Sequence, residues 1–183
     1  MQTEALDTAR LSKLNELIHD IRIAMMTTIE SNGSLRSRPM ATQNVPFDGT
    51  LWFFTDDDTA KADEVKSHGE VNICYVDSKN QRYVSLSGVG VVSHDKEKMR
   101  ELWNPVLTTW FPKGMSDSRL ALIKVQVNQA EYWDASANRM VQLFALAKAV
   151  VTGQRPENLG EHKKMGLPSP EDFAFSKDET KQR

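Results

Sequence analysis

The stretch IRIAMMTTIESNGSLRSRPMA, residues 21–41, decides the fold. Ile21, Ile23, Met25, Thr27 and Ile29 recur at every second position and so share one face of a strand. The intervening set is also rich in apolar residues, so both faces of this strand need cover. Asn32-Gly33 is the dipeptide that a type I′ hairpin turn favours, and LRSRPMATQN returns from it as a second strand. A further turn signal, Asp48-Gly49, precedes the aromatic run LWFFT. Together these segments predict three consecutive strands in an antiparallel meander.

The same logic extends in both directions. Leu11, Leu14, Leu17 and Ile18 lie at helical spacing and predict an amphipathic helix over roughly residues 5–19. After LWFFT, residues 59–69 (TAKADEVKSHG) suit a short helix ending at Gly69. VNICYVD and RYVSLSGVGVVS then read as strands, with Gly88 and Gly90 marking a bulge or a place where another body comes close. Asp95 is placed to cap the helix KEKMRELW, which stops before Asn104-Pro105, and VLTTWFPKG reads as a loop with exposed aromatics. LALIKVQVNQAEYWD is the last long strand, and residues 138–153 carry a further helical pattern. Beyond Pro156 the periodicity vanishes, so residues 1–155 are expected to form the domain and 156–183 a loose tail. The resulting class is mainly β: about six antiparallel strands with short flanking helices, as a barrel or, alternatively, a sandwich.

Composition removes several functions. A chain of 183 residues suits one domain, and 23 basic against 25 acidic residues give a net charge of −2, too little field for nucleic acid or an anionic membrane. Cys74 has no partner cysteine and reads as a buried structural thiol in a reducing compartment. The N-terminus has no signal-peptide pattern and no window is apolar enough to span a membrane, so a cytoplasmic location is expected. His19, His68, His94 and His162 are scattered without metal-ligand spacing, so no metal site is expected. There is no G-x-S-x-G, P-loop or G-x-G-x-x-G motif.

Two motifs remain. Alternation places Arg36, Arg38 and Met40 of RSRPM on one face of their strand, where two cations need either solvent or an anion. In FFTDDDTAKADEV the aspartates can cap the following helix, while Thr59 and Lys61 fall in its first turn. A cation there is disfavoured by the helix dipole unless an anion joins it, and a phosphate would.

These residues carry a resemblance. TTIESNGSLRSRPMA, LWFFTDDDTAKADEV and YVSLSGVG, in that order, resemble the FMN-binding split barrels of the pyridoxamine 5′-phosphate oxidase-like superfamily, most closely its general stress protein branch. The resemblance spans about residues 10–150 and implies a six-stranded Greek-key split barrel, assembled as a homodimer with flavin sites at the subunit interface. It implies that Arg38 reaches the phosphate end of the flavin and that the Pro39-Met40 backbone runs along the ring. Phe54 and Thr55, closing the third strand, and Thr59 and Lys61, opening the helix, match cofactor-contact positions. Gln43 stands where the oxidase has a lysine, and Tyr83 where it has a glutamine. Ala60 replaces an arginine. Trp110 and Trp133 are aromatic candidates for the ring, with core or interface packing as the alternative.

The resemblance implies FMN, or FAD if the site is open at its phosphate end, and flavin-dependent redox chemistry. The Arg-x-His motif with which the true oxidase holds its substrate has no counterpart after EYWDAS, so pyridoxamine 5′-phosphate oxidase activity is not expected. Two other readings are a non-enzymatic flavin carrier or stress-linked binding protein, and a barrel interaction module without cofactor.

Overall fold

The computed structural model describes residues 2–135 and 161–167. The elements are α1 (Gln2–Ile18), β1 (Ile23–Ile29), β2 (Leu35–Ala41), β3 (Thr50–Asp56), α2 (Ala60–His68), β4 (Glu70–Asp77), β5 (Arg82–Ser93), α3 (Lys96–Leu102), two short 3-10 turns (Pro105–Thr109 and Gly114–Ser116), β6 (Leu120–Asp134) and β7 (Glu161–Gly166). The helix expected over 138–153 lies outside the described residues.

All strand pairs are antiparallel, in the order β2-β1-β4-β5-β6-β3, with β7 also on β6. The expected meander is corrected at its third strand: β3 pairs with β6, from Thr50↔Gln126 to Asp56↔Leu120, and not with β2. β6 is long enough to serve two partners on that edge. β3 takes its first half and β7 its second, from Gln129↔Gly166 to Asp134↔Glu161. This divided edge matches the expected split barrel.

β7 lies inside the segment expected to be a loose tail. Its His162, Lys163 and Lys164 are exposed, and only Met165 and the following Leu167 turn into the core, so the strand lacks the apolar alternation that would reveal it.

Turn chemistry follows the sequence with one adjustment. Only Gly33 has positive φ in the β1–β2 turn, so it is not type I′, which needs positive φ at both central residues. Instead Gly33 N–H donates to the Glu30 carbonyl, and Asn32 Oδ1 accepts from Ser34 N–H. Gly69 ends α2 as expected, with its N–H on the Val65 carbonyl. At Gly88 the β5–β6 register shifts, and a Cβ there would run into the β6 backbone at Gln126 and Val127. A Cβ on Gly90 would press on Val65 and Val71, so that glycine lets α2 lie against the sheet.

The main core gathers Leu14 and Leu17 of α1 with Met26, Phe53, Ile73, Tyr75, Leu86, Ile123 and Tyr132 from the sheet. Burying each such side chain contributes about 1.5–3 kcal/mol. In β1 it is Ala24, Met26 and Thr28 that face this core, while Ile23 and Met25 are exposed. Cys74 also sits on the outward set, half-buried beside Asn72 Oδ1 at 3.0 Å, rather than as the expected buried thiol. A satellite cluster of Phe54, Met99, Leu102, Leu107, Leu120 and Leu122 fastens α3 and the following 3-10 turn to β3 and β6. Asp95 caps α3 as expected, accepting from the Glu97 and Lys98 N–H groups.

Candidate functional site

A cleft of about 510 Å³ opens where the end of β2 meets β3, the start of α2 and the 105–111 segment. Pro39, Met40, Gln43, Phe54, Thr55, Lys61 and Trp110 line it, with Ile23, Ala41, Asp56, Leu107 and Phe111. Thus seven candidate residues from four separate segments meet in one place. Its aromatic wall is braced from behind, because Phe54 packs edge-on against Trp103 at 5.6 Å and tilted against Phe111 at 6.2 Å. The 105–111 segment is therefore not a free loop. Phe111 is packed inward, and Trp110 stays exposed at the cleft mouth.

The alternation on β2 holds, and burial deepens along it. The Arg36 side chain is 62% exposed and paired with Glu30 at 2.9 Å; the Arg38 side chain is 19% exposed; Met40 is buried. Arg38 is engaged by the protein itself. Its Nη2 pairs with Glu64 Oε2 at 2.8 Å and its Nη1 donates to Thr28 Oγ1 at 2.6 Å. Thr28 Oγ1 in turn donates to Glu64 Oε2 at 2.5 Å, closing a triangle whose Thr28 and Glu64 members are both buried. A guanidinium has five N–H donors, so these bonds leave others available.

Lys61 differs. Among the described residues it makes no hydrogen bond or ion pair, and it is half-buried in the cleft wall. Burial pushes its ammonium below the usual lysine range, and the nearby Arg38 guanidinium adds to this. The Asp56 and Glu64 carboxylates pull the other way.

The helix start is built without the expected aspartate caps. Thr59 is the N-cap residue, and no side chain caps α2. Thr59 Oγ1 donates to the Asp56 carbonyl at 2.8 Å and lies 3.3 Å from Thr55 Oγ1. The aspartates anchor neighbouring elements instead. Asp57 pairs with Lys66 at 2.5 Å and with His94 at 3.0 Å, and Asp58 with Arg119 at 3.2 Å. The hydrogen bond from Lys66 is the main cause that holds the Asp57 carboxyl below its usual range. An α2 N-terminus fastened this way is a firm support for Lys61.

Arg38 and Thr59 are not among the residues that line the cleft, and neither are Tyr83 and Trp133. Tyr83 and Trp133 are cross-strand partners on β5 and β6, both exposed on the outer face of the sheet, and Trp133 stacks on His162. Thr28 and Glu64 are the residues that sequence reasoning missed. The available signal was Glu64 between Ala62 and Val65, a charge on the side of α2 that faces the sheet.

The family model described as pyridoxamine 5′-phosphate oxidase like matches residues 9–157. Protein bli-3 of Neurospora crassa is 29% identical over 164 residues, covering 84% of this chain and 78% of that protein. The crystal structure of a protein taken to be a general stress protein 26 of Jannaschia sp. CCS1 superposes with a TM-score of 0.69 at 26% identity, covering 87% of this chain and 99% of that one. The general stress FMN/FAD binding protein of Xanthomonas citri shares the fold at 24% identity, with a TM-score of 0.59 over 68% of this chain and 87% of that one.

Proposed function

Because the chain belongs to the pyridoxamine 5′-phosphate oxidase-like family, we propose that it binds a flavin nucleotide, FMN before FAD, in the cleft between β2, β3 and α2. Lys61 carries the reading. A half-buried ammonium with no carboxylate bonded to it among the described residues, at the first turn of a helix, is a site that an anion relieves. The rest of the lining suits the other end of such a ligand, since Pro39, Met40, Ala41, Phe54 and Trp110 offer an apolar, partly aromatic surface for a planar ring. The description of the Xanthomonas citri protein as FMN/FAD binding supports the same ligand class.

The cleft opens onto the outer face of the sheet. Ile23↔Ala41 and Met25↔Pro39 are cross-strand pairs there, and Ile23, Met25, Val76, Tyr83 and Trp133 leave that face apolar and exposed. A second copy of the chain covering this face would complete the site, with Tyr83 and Trp133 as interface residues. Bound flavin would supply hydride or electron transfer, and the protein's part is to hold and orient it. A flavin carrier without turnover is the second reading, in keeping with a lining that, among the described residues, is mostly apolar and contains no histidine.

The visible absorption spectrum of purified protein, before and after adding FMN, tests binding. A flavin band that co-sediments with a dimer is the expected result. Protein that stays colourless with excess FMN removes the proposal. A monomer with full flavin occupancy removes the shared site. Reduction of bound flavin by NADH or NADPH with transfer to an acceptor separates enzyme from carrier.

A further inference from the structure

The triangle of Thr28, Arg38 and Glu64 lies beside Lys61, yet nothing in the flavin reading calls for a buried carboxylate next to a phosphate site. We propose that Glu64 sets how strongly this site prefers a phosphorylated flavin, by cancelling the charge of Arg38 where the phosphate would sit. The proposal rests on the reading that the cleft holds a flavin with its phosphate end at Lys61.

The geometry leaves Arg38 well fixed and electrostatically spent. Its guanidinium is paired with a carboxylate at 2.8 Å, and both partners are largely withdrawn from water, where screening is weak. Thr28 holds both partners at once, so the pair cannot separate without breaking two of the three short contacts. Glu64 lies one turn along α2 from Lys61, and its charge also acts on that ammonium. Asp56 is the other carboxylate whose charge reaches Lys61. It lines the cleft, is partly exposed, and makes no ion pair with Lys61. A phosphate entering here meets one unpaired cation, Lys61, and one, Arg38, whose charge is already offset. The site therefore offers a phosphate little more than the single charge of Lys61, and Glu64 limits its preference for FMN over riboflavin.

The test compares dissociation constants of FMN and riboflavin for wild type and Glu64→Gln by flavin fluorescence in moderate salt. Glutamine keeps an oxygen for Arg38 and Thr28 and removes only the charge. FMN should bind about tenfold more tightly to the variant, with a steeper dependence on salt, while riboflavin stays within about twofold. Glu64→Asp, which keeps the charge, should retain the wild-type preference. If Glu64→Gln weakens both flavins alike, Glu64 is only structural and the proposal is overturned; a preference that falls or stays the same also overturns it. Where Glu64→Gln fails to fold, the salt dependence of FMN binding to wild type decides: the weak dependence of one unpaired cation is expected, and the steeper dependence of two would overturn the proposal. Wild type that binds neither flavin ends the flavin reading itself and this inference with it.

Discussion

Trp133 of β6 stacks on His162 of β7, with ring centroids 5.0 Å apart and planes 5° from parallel. The same imidazole meets Glu131 through Nε2 at 2.7 Å, so one side chain fastens β7 to β6 by both its face and its edge. His162→Ala should lower stability by about 0.5–1.5 kcal/mol, the range for a stacked ring pair, and shift tryptophan emission to the red as Trp133 gains water. Thermal unfolding and emission spectra check this. Unchanged emission would mean that β7 does not cover Trp133 in solution.

Lys61→Ala should weaken FMN binding by about 1.5–3 kcal/mol, roughly tenfold to a hundredfold, and riboflavin far less, since riboflavin lacks the phosphate. Because the wild-type ammonium is half-buried and bonded to nothing described, its removal should leave the melting temperature of the flavin-free protein unchanged or slightly higher. Equal losses for both ligands would take Lys61 away from the phosphate.

Arg38→Ala should reduce both FMN affinity and stability. Breaking a buried ion pair costs about 3–5 kcal/mol, and Arg38 keeps enough exposure to place the loss near or below the lower end. Arg36→Ala breaks only the exposed pair with Glu30 and should cost about 1 kcal/mol or less. Denaturant unfolding of both variants beside wild type gives the comparison, and a larger loss from Arg36→Ala would reverse the assignment of roles on β2.

Asp77 predicts an acid limb of stability. The hydrogen bond from Arg82, followed by those from Asn80, holds the Asp77 carboxyl down to about 2 in the folded protein, whereas an unfolded aspartate titrates at about 3.9. The unfolded chain therefore takes up the proton first as pH falls. The contribution is complete above about pH 4 and is lost as pH drops through about 2. Asp77→Asn should melt below wild type near pH 6, and the two curves should converge toward pH 2. A constant gap across that range would assign the loss to packing rather than charge.

Much of the local architecture could be read directly from the chain. The turn at Asn32-Gly33, the helix stop at Gly69, the cap at Asp95 and the bulge at Gly88 were legible because each depends on the conformational preference of one or two residues. Of the candidate site, Pro39, Met40, Gln43, Phe54 and Thr55 were found through the resemblance, Lys61 also through its place in the first turn of α2, and Trp110 as an aromatic candidate, and all seven meet in the cleft. Thr28 and Glu64 were not found: the one local signal was Glu64 between Ala62 and Val65, and nothing in the sequence around Thr28 marks it as the partner of a charge.

Period and turn chemistry act over a few residues, so the sequence by itself located β1 to β6, the first three helices and the place of Lys61 at the opening of α2. Partner choice is a long-range decision. β3 could pair with β2 or with β6, and only the competition among all edges of the sheet selected β6. The two apolar sets of β1 were equivalent until α1 and the rest of the sheet closed over Ala24, Met26 and Thr28 and left Ile23 and Met25 outside. The strand β7, with its exposed His162, Lys163 and Lys164, exists because the second half of β6 offers unpaired backbone groups, and its own side chains carry no such signal. Glu64 meets Thr28 across 36 residues, and it reaches Arg38 only because α2 lies over β1 and β5 while β2 pairs with β1. The cost of burying a charge falls only once the fold has formed, so that pairing belongs to the tertiary structure alone.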